Sequence, residues 1–261
     1  MKIVPSTAVG VLLFLTLLTS SCKSGPVSER RTVPADGLVS WWRADGNARD
    51  VTGRNNGILE GKIRFAPGKV GQAFFFGNTN AEVRIPASSS LDVGASGGFT
   101  LMAWINPSDV AYRRPIFEWN AGDGTTYWGV HFYIDPITPS GLQPGALYAN
   151  VVDHNGNWHQ IWSSGGTAVP HVFQHVALTY ESASGIATIY RNGTIVAQQN
   201  LGSFMPLTTY DLYLGRRPMT QGETYSFAGR IDEVAVFDGT LSDVQIRNIY
   251  QAARSKMLML R

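Results

Sequence analysis

Cysteine is almost absent from this chain of 261 residues, which contains one, Cys22. One thiol excludes an intramolecular disulfide framework and a metal site built from several cysteines. Charged residues are also scarce, at 15% of the sequence, with a formal net charge of +2. The arginine pairs at 30–31, 113–114 and 216–217 are isolated, and we interpret them as solvated turn residues. Without a basic stripe that alternates with aromatic residues, the sequence offers no nucleic-acid partner.

Long apolar runs are missing too, except near the N-terminus. Residues 8–18 are apolar and follow Lys2, but they are shorter than the roughly 20 residues that a membrane-spanning helix needs. They are typical of a signal peptide. The following segment, Leu18-Thr-Ser-Ser-Cys22, resembles the lipobox of bacterial lipoproteins, in which the cysteine is lipidated.

This resemblance implies a signal peptide over residues 1–22 that ends at a lipidated Cys22. Residues 23–36 are then a flexible linker, and the protein is an outer-membrane lipoprotein that meets the membrane through its lipid anchor only. An ordinary signal peptide with an incidental cysteine is the alternative. An unpaired thiol is unusual in a secreted protein, which favours lipidation.

Short runs of valine, isoleucine, phenylalanine and tyrosine, separated by turn residues, fill the rest of the chain. With 28 glycines and 13 prolines, this pattern favours sheets over helices. We expect one all-β domain over residues 37–253, built as an antiparallel β-sandwich, and a tail over 254–261. One strand is predicted over 58–65, a type I′ turn at Asn192-Gly193, and a short closing helix over 241–250 with Ser242 as its N-cap.

Three segments carry a family resemblance. They are Gly37-Leu-Val-Ser-Trp-Trp-Arg-Ala-Asp-Gly-Asn-Ala-Arg-Asp50, Gly68-Lys-Val-Gly-Gln-Ala-Phe-Phe-Phe-Gly77 and Phe227-Ala-Gly-Arg-Ile-Asp-Glu-Val-Ala-Val-Phe-Asp238. Together they resemble the laminin-G-like, concanavalin A-like family of jelly-roll domains. The resemblance implies a jelly-roll sandwich whose relatives bind carbohydrates or proteins.

The loop after the first strand contains short oxygen-bearing side chains among glycines. Calcium takes 6–8 oxygen ligands, although turns rich in aspartate and asparagine also form without a metal because these side chains bind their own backbone. In similar jelly-roll domains, the aspartate of the last strand meets this loop at one calcium ion. The resemblance therefore implies one structural calcium site, formed here by Asp45, Asn47, Asp50, Gly57 and Asp232.

Asp232 lies in a stretch that is otherwise largely apolar. Strict strand alternation puts Asp232, Val234 and Val236 on one face and the intervening residues on the other. A buried carboxylate is costly unless it is paired or bound to a metal. An ion pair with Arg43 or Arg230 is therefore the alternative to calcium.

Aromatic residues are concentrated in the middle third of the chain, beside short polar residues. Flat aromatic faces can stack on sugar rings, and amides and carboxylates can bind the hydroxyls. About half of these side chains must face the core by alternation. We predict a ligand site that contains Trp128, His131, Asp153, Asn157 and Trp158, of which Asn157 and Trp158 lie on a loop and are expected to be exposed.

Motifs of known catalytic sites are absent from the sequence. Similar glucanases carry Glu-x-Asp-x-x-Glu or Glu-x-Asp-x-Glu on one strand, and neither pattern occurs, nor does the Gly-x-Ser-x-Gly of serine hydrolases. The five histidines form no close ligand pair, and His175 is interpreted as a packing residue. The sequence thus predicts a monomeric, non-catalytic recognition domain of the cell envelope.

Three functions remain open at this point. The first is carbohydrate binding, the second is binding of an extracellular protein or adhesion, and the third is a hydrolase without recognisable catalytic carboxylates. An aromatic groove would favour the first, a flat apolar patch the second, and two carboxylates that face each other in a cleft the third.

Overall fold

The computed structural model describes Met1 and residues 36–77, 80–122, 128–218 and 225–259, with side chains of the final helix described up to residue 253. The chain divides into two compact units, Met1–Arg31 and Thr32–Arg261. Apart from Met1, the first unit lies outside the described residues, as do the predicted lipidation site Cys22 and the linker up to residue 35. Within the described part, no helix has both the length and the apolar character needed to cross a membrane.

The described residues of the second unit form mainly strands. In chain order the elements are β1 Leu38–Trp42, β2 Ile58–Glu60, β3 Arg64–Pro67, β4 Gln72–Gly77, β5 Glu82–Ile85, a short 3-10 helix Val93–Ser96, β6 Gly98–Pro107, β7 Arg114–Asn120, β8 Trp128–Thr138, β9 Gly141–Asn150, β10 Gln160–Trp162, β11 Gln174–Glu181, β12 Ile186–Arg191, β13 Thr194–Asn200, β14 Asp211–Leu214, β15 Arg216–Arg217, β16 Tyr225–Ser226, β17 Ala228–Asp238 and α1 Asp243–Met259.

These strands form two large antiparallel sheets. The eight-stranded sheet has the order β13-β12-β11-β6-β17-β4-β3, with β1 paired to β17, and the seven-stranded sheet has the order β10-β9-β8-β7-β14-β5-β2. The short strands β15 and β16 pair with each other and lie beside β7. The predicted all-β antiparallel sandwich with a C-terminal helix is confirmed.

The core lies between the two sheets. Its side chains include Phe74, Leu101 and Leu178 from the eight-stranded sheet and Phe132, Leu147 and Leu212 from the seven-stranded sheet, all fully buried. Because side chains alternate between the faces of a strand, the neighbours of Phe132 and Leu147 point away from this core. His131, Tyr133 and Tyr148 therefore lie on the outer face of the seven-stranded sheet.

The chain between residues 58 and 65 forms two strands, so the prediction of one strand there is wrong. β2 belongs to the seven-stranded sheet and β3 to the eight-stranded sheet. Between them Gly61 has a φ of 72°, and a Cβ at this position would lie 1.9 Å from the carbonyl oxygen of Asn80. Only glycine fits this left-handed, crowded backbone, which carries the chain from one sheet to the other.

A β-bulge in β17 breaks the strict alternation expected for that strand. The register against β6 shifts between Asp232 and Ala235, and Glu233 has a φ of 48°. As a result, Ile231 and Val234 both lie in the core, although alternation puts them on opposite faces. The predicted face shared by Asp232 and Val234 is wrong for this reason.

Helix α1 covers the outer face of the eight-stranded sheet. Ile246 and Ile249 pack there in an apolar cluster with Met102. At the start of the helix, the Gln245 backbone N–H donates to the Ser242 hydroxyl oxygen at 3.4 Å, and the Ser242 N–H donates to the Gln245 side-chain oxygen at 2.9 Å. This reciprocal pair is a capping box, which confirms Ser242 as the N-cap.

The predicted turn at Asn192-Gly193 is confirmed by φ angles of 53° and 75°. The Asn192 side-chain oxygen accepts a hydrogen bond from the His175 backbone N–H at 2.9 Å. The His175 ring packs edge-on against Trp104 with centroids 5.5 Å apart, and Tyr250 lies 6.3 Å away. His175 is thus a packing residue, as predicted, and burial lowers its pKa to about 4.

We expect His175 to make the fold sensitive to acid. Because its folded-state pKa of about 4 is below the ordinary value of about 6.5, the unfolded chain binds the extra proton first. Stability is therefore retained above about pH 6.5 and falls by about 2.5 kcal/mol towards pH 4.5. Urea denaturation at pH 7 and at pH 4.5 measures this effect. Between these two pH values, His175→Leu should lose less free energy of unfolding than the unmodified protein. An unchanged pH-dependent loss would contradict this assignment.

Candidate ligand-binding groove

The outer face of the seven-stranded sheet carries a groove of about 370 Å³. Strands β8, β9 and β10 form its floor, and the β15–β16 ribbon contributes one side. Aromatic and polar side chains line it together: Arg113, Trp128, His131, Tyr133, Asp135, Tyr148, Trp158, Gln160, Trp162, Arg217 and Tyr225, with Ile137 and Thr138 at the end of β8 and Pro139 after it.

A fully buried carboxylate lies beneath the groove. Glu118 on β7 binds Arg217 through two parallel hydrogen bonds, from Nε to Oε1 at 2.8 Å and from Nη2 to Oε2 at 3.0 Å. The Tyr133 hydroxyl also donates to Oε2, and the Asn120 amide donates to Oε1 at 3.1 Å. With both oxygens occupied, Glu118 has the partners that a buried charge requires.

The Arg217 guanidinium is also held by aromatic rings. Its central carbon lies 4.5 Å from the Trp128 ring centroid, 4.9 Å from that of Tyr133 and 5.8 Å from that of Tyr225. Burial alone would lower the pKa of Arg217, but the Glu118 carboxylate outweighs this effect and raises the pKa above its ordinary value. Arg217 therefore stays charged and fixes the β15–β16 ribbon against the sheet.

A second ion pair lies at the groove surface. Arg113 donates from Nε to Asp135 Oδ2 at 3.2 Å and from Nη1 to the Tyr225 hydroxyl at 2.7 Å. The other Asp135 oxygen accepts the Ile137 backbone N–H at 2.9 Å. Asp135 thus connects Arg113 to the end of β8.

His131 provides a neutral polar group in this lining. Burial and the nearby Arg217 lower its pKa well below the ordinary value, so the ring is uncharged near neutral pH. Its Nδ1 lies 3.0 Å from the Gly129 carbonyl oxygen, which requires the proton on Nδ1. The other ring nitrogen, Nε2, is then a hydrogen-bond acceptor.

Aromatic side chains form the more exposed part of the groove. Trp158 is 55% exposed, and its ring lies 5.5 Å from that of Trp128 between centroids. Tyr148 and Trp162 form a second pair at 4.9 Å, and the Gln160 amide donates to the Tyr148 hydroxyl at 2.7 Å. Such a surface offers flat faces to the C–H side of a ligand and amide and hydroxyl groups to its polar edge.

The structure brings three of the five predicted ligand-binding residues together, since Trp128, His131 and Trp158 line the groove. Asp153 and Asn157 are not among the lining residues. Asp153 accepts the Asn157 N–H at 2.9 Å and its side-chain amide at 2.9 Å, and so holds the loop that carries Trp158. The role of all five in binding stays a prediction.

Sequence reasoning missed the charged residues of the groove. The interpretation of the arginine pairs as solvated turn residues is wrong for Arg217, which is 5% exposed, and for Arg114, which is 4% exposed and donates to the Ser226 carbonyl oxygen. Glu118 and Arg217 are 99 residues apart in the chain. No local spacing pattern links residues at that separation, so the ion pair becomes visible only in the fold.

Comparison with known families agrees with the fold. The family model Laminin_G_3, described as the concanavalin A-like lectin/glucanases superfamily, matches residues 76–247. The chain belongs to this superfamily. No curated protein sequence matches it.

Solved structures of the superfamily fold include sugar-binding and toxin domains. Domain 4 of AbnA, a GH43 extracellular arabinanase from Geobacillus stearothermophilus solved with arabinotriose, has a TM-score of 0.57 at 19% identity, covering 82% of this chain and 98% of that domain. The binding domain of Paraclostridial Mosquitocidal Protein 1 has a TM-score of 0.62 at 14% identity, covering 82% of this chain and 52% of that one. The botulinum neurotoxin DC binding domain in complex with SialylT also has a TM-score of 0.62 at 14% identity, covering 84% and 52%. The chain spans about half the length of these two toxin domains, and the likeness shows the fold that it shares with them.

The predicted calcium ligands of this superfamily member take part in hydrogen-bonded turns. Asp50 accepts the Trp41 N–H at 2.9 Å through Oδ1, and the Thr52 hydroxyl at 2.7 Å and the Asn55 N–H at 3.0 Å through Oδ2. Burial would raise the pKa of Asp50, but these hydrogen bonds together leave it below the ordinary value. Asp50 therefore holds the loop that follows β1.

Asp45 and Asp232 bind the same turn, which joins β3 to β4. The Lys69 and Val70 N–H groups donate to Asp232 Oδ2 at 2.7 and 3.0 Å, and the Gln72 N–H donates to Asp45 Oδ1 at 2.9 Å.

Two glycines let the carboxylates approach this turn. A Cβ on Gly68 would lie 2.6 Å from Asp232 Oδ2, and a Cβ on Gly71, where φ is 65°, would lie 2.2 Å from Asp45 Oδ1. This is the physical reason for both glycines in the segment that starts at Gly68.

The remaining calcium candidates have local partners. The Asn47 side-chain oxygen accepts the Arg49 N–H at 2.9 Å, and the Gly57 N–H donates to the Ala48 carbonyl oxygen at 2.8 Å. Within the described parts of the chain, no three histidine, cysteine, aspartate or glutamate side chains are grouped so that they could hold a metal.

Calcium binding at this turn stays a prediction. Asp232 is the predicted ligand whose substitution tests it most directly. Burial raises the pKa of Asp232 to about 8, and a cation beside this carboxyl would favour its charged form. The Arg43 proposed as the alternative partner instead pairs with Asp45 at 2.8 Å. The carboxyl group of Asp232 is stabilised by backbone amides, including that of Glu233 at 2.8 Å.

We expect Asp232→Asn to lower the free energy of unfolding by about 1–3 kcal/mol even in EGTA, because one amide oxygen cannot replace two carboxyl oxygens that accept backbone N–H groups. In the unmodified protein, calcium at a hundredfold excess over its Kd should add about 2.7 kcal/mol. Urea denaturation of both proteins, with EGTA and with calcium, measures the two effects. Asp238→Asn, an exposed residue on the same strand, is the matched control. If Asp232→Asn has the same free energy of unfolding as the unmodified protein in EGTA, Asp232 does not stabilise the turn. If calcium does not raise the free energy of unfolding of the unmodified protein, the calcium prediction is wrong.

Proposed function

We propose that this domain is a non-catalytic carbohydrate-binding module that holds a glycan in the groove on the seven-stranded sheet. The observation that carries this proposal is the exposed Trp158 ring beside Trp128, above a floor of buried polar groups. Indole faces suit the C–H surface of a sugar ring, whereas Gln160 and His131 suit its hydroxyls. The groove of about 370 Å³ has the size of a small-ligand site.

The comparisons support the same proposal. A domain of the same fold, AbnA domain 4, was solved with arabinotriose. Fold likeness alone does not assign a function. Together with the aromatic groove of this chain, it favours a glycan over a protein partner.

The carboxylates of the groove favour binding over hydrolysis. A retaining or inverting glycosidase needs one carboxylic acid and one carboxylate that both reach the sugar. Here Glu118 is bound by Arg217 and Asp135 by Arg113. Both carboxylates are thus used in internal ion pairs.

We also propose that the domain belongs to a cell-envelope lipoprotein, anchored through Cys22. This rests on the N-terminal sequence, since the residues concerned lie outside the described part of the chain. Mass spectrometry of the mature protein should find an N-terminal diacylated Cys22, and Cys22→Ala should no longer fractionate with membranes. Cleavage at another position, or a Cys22→Ala variant that stays in the membrane fraction, would contradict the anchor.

We expect Trp158→Ala to weaken glycan binding at least about tenfold, or roughly 1.4 kcal/mol, because it removes the exposed stacking surface. Its melting temperature should stay nearly unchanged, since the side chain is 55% exposed and leaves no cavity in the core. A glycan array with the soluble domain identifies the ligand, and calorimetry then compares the two proteins.

Val244→Ala is a matched control for this experiment. Val244 is also exposed, at 60%, but lies on α1 over the opposite sheet, so its removal should leave glycan binding intact. Absence of binding to every glycan on the array, or equal affinities of Trp158→Ala and the unmodified protein, would contradict the proposed site.

A further inference from the structure

We infer that the groove is selective for neutral glycans and rejects sugars that carry carboxylate or sulfate groups. This inference rests on the glycan-binding function proposed above. It follows from how the charged side chains of the groove are paired.

The charges at the groove cancel. Arg113, Asp135 and Arg217 are the formally charged lining residues in the described part of the chain, and Glu118 lies directly beneath Arg217. Two arginines therefore face two carboxylates, and His131 is neutral. Among the described residues, these side chains together carry no net charge that would attract an acidic ligand.

Arg217 is not available to a ligand without loss of its ion pair with Glu118. The side chains of Arg217 and Glu118 are 7% and 0% exposed, so an anion that recruited Arg217 would leave the buried Glu118 carboxylate unpaired. The Asp135 side chain is 6% exposed and has Arg113 as its ion-pair partner. Removing one partner of a buried pair is strongly unfavourable.

An acidic sugar would also meet Asp135 as a like charge. Arg113 is the most accessible of the four charged side chains, at 37% exposure, and is the natural contact for an anionic group. Because Asp135 lies 3.2 Å from its Nε, any anion at Arg113 approaches the Asp135 carboxylate. Hydroxyl groups carry no such penalty and can bind beside either pair.

The experiment compares matched oligosaccharides, such as a hexose oligomer and the corresponding uronic acid oligomer with the same linkage. For the unmodified protein, we expect the acidic form to bind at least about tenfold more weakly. Affinity for the neutral form should change little between low and high salt, since no ion pair forms with the ligand.

Asp135→Asn should reduce the preference for the neutral oligomer. The amide keeps the shape of the side chain and an oxygen for the Ile137 N–H, but leaves the Arg113 charge uncompensated. We expect affinity for the acidic oligomer to rise about tenfold and to fall again at high salt. A single cooperative melting transition shows that the variant is folded, with a melting temperature lowered by the loss of the ion pair, and the measured quantity is the ratio of the acidic to the neutral affinity.

Asp211→Asn is the matched control. Asp211 also pairs with an arginine, Arg84 at 3.0 Å, but is not among the groove residues. The Asp211→Asn substitution makes the same change in net charge and should leave the ratio of the affinities for the neutral and acidic oligomers unaltered.

The outcomes separate the two proposals. Equal or tighter binding of the acidic oligomer by the unmodified protein overturns the neutral selectivity and leaves glycan binding intact, as does an unchanged ratio in Asp135→Asn. Binding of neither oligomer class across an array overturns the glycan function itself.

Discussion

The outer face of the seven-stranded sheet depends on one buried ion pair, Glu118 with Arg217. The Glu118 carboxylate accepts from the guanidinium fork, from the Tyr133 hydroxyl and from the Asn120 amide. Without Arg217, a fully buried charge would lack its main partner. Without Glu118, the guanidinium would no longer lie fixed over the rings of Trp128 and Tyr133. The ion pair thus joins the β15–β16 ribbon, which forms one side of the groove, to the sheet.

Buried carboxylates play a comparable part in the loops. Asp153 holds the loop that carries Trp158, Asp50 holds the loop after β1, and Asp232 holds the turn between β3 and β4. In each case backbone N–H groups that have no partner in a sheet donate to the carboxylate. A chain with few charges therefore uses several of them to fix backbone rather than to bind solvent.

Much of the fold could be predicted from local sequence. Strand periodicity, the Asn192-Gly193 turn and the Ser242 cap depend on neighbouring residues, and all three are confirmed. The division of 58–65 at Gly61 and the bulge beside Glu233 depend on tertiary contacts and positive φ angles, which periodicity does not encode.

The candidate site was predictable only in part, for the same reason. Trp158 and Trp128 lie in an aromatic-rich segment, and loop position indicates that Trp158 is exposed, which the structure confirms at 55%. Arg217 comes from a distant segment, and its burial follows from a partner far away in the chain. Asp153 and Asn157 have side chains that suit a sugar ligand, but their hydrogen bonds with each other are local and hold the loop.

The central claim is that a glycan binds on the outer face of the seven-stranded sheet. The chain contains seven tryptophans, so a two-dimensional NMR spectrum of the indole N–H groups reports on both faces of the sandwich at once. During titration with a glycan that binds, the signals of Trp128, Trp158 and Trp162 should shift, because these side chains line the groove. Those of Trp41 and Trp104, which pack on the eight-stranded sheet, should stay in place. Shifts at Trp41 and Trp104 with none at the groove would contradict the account.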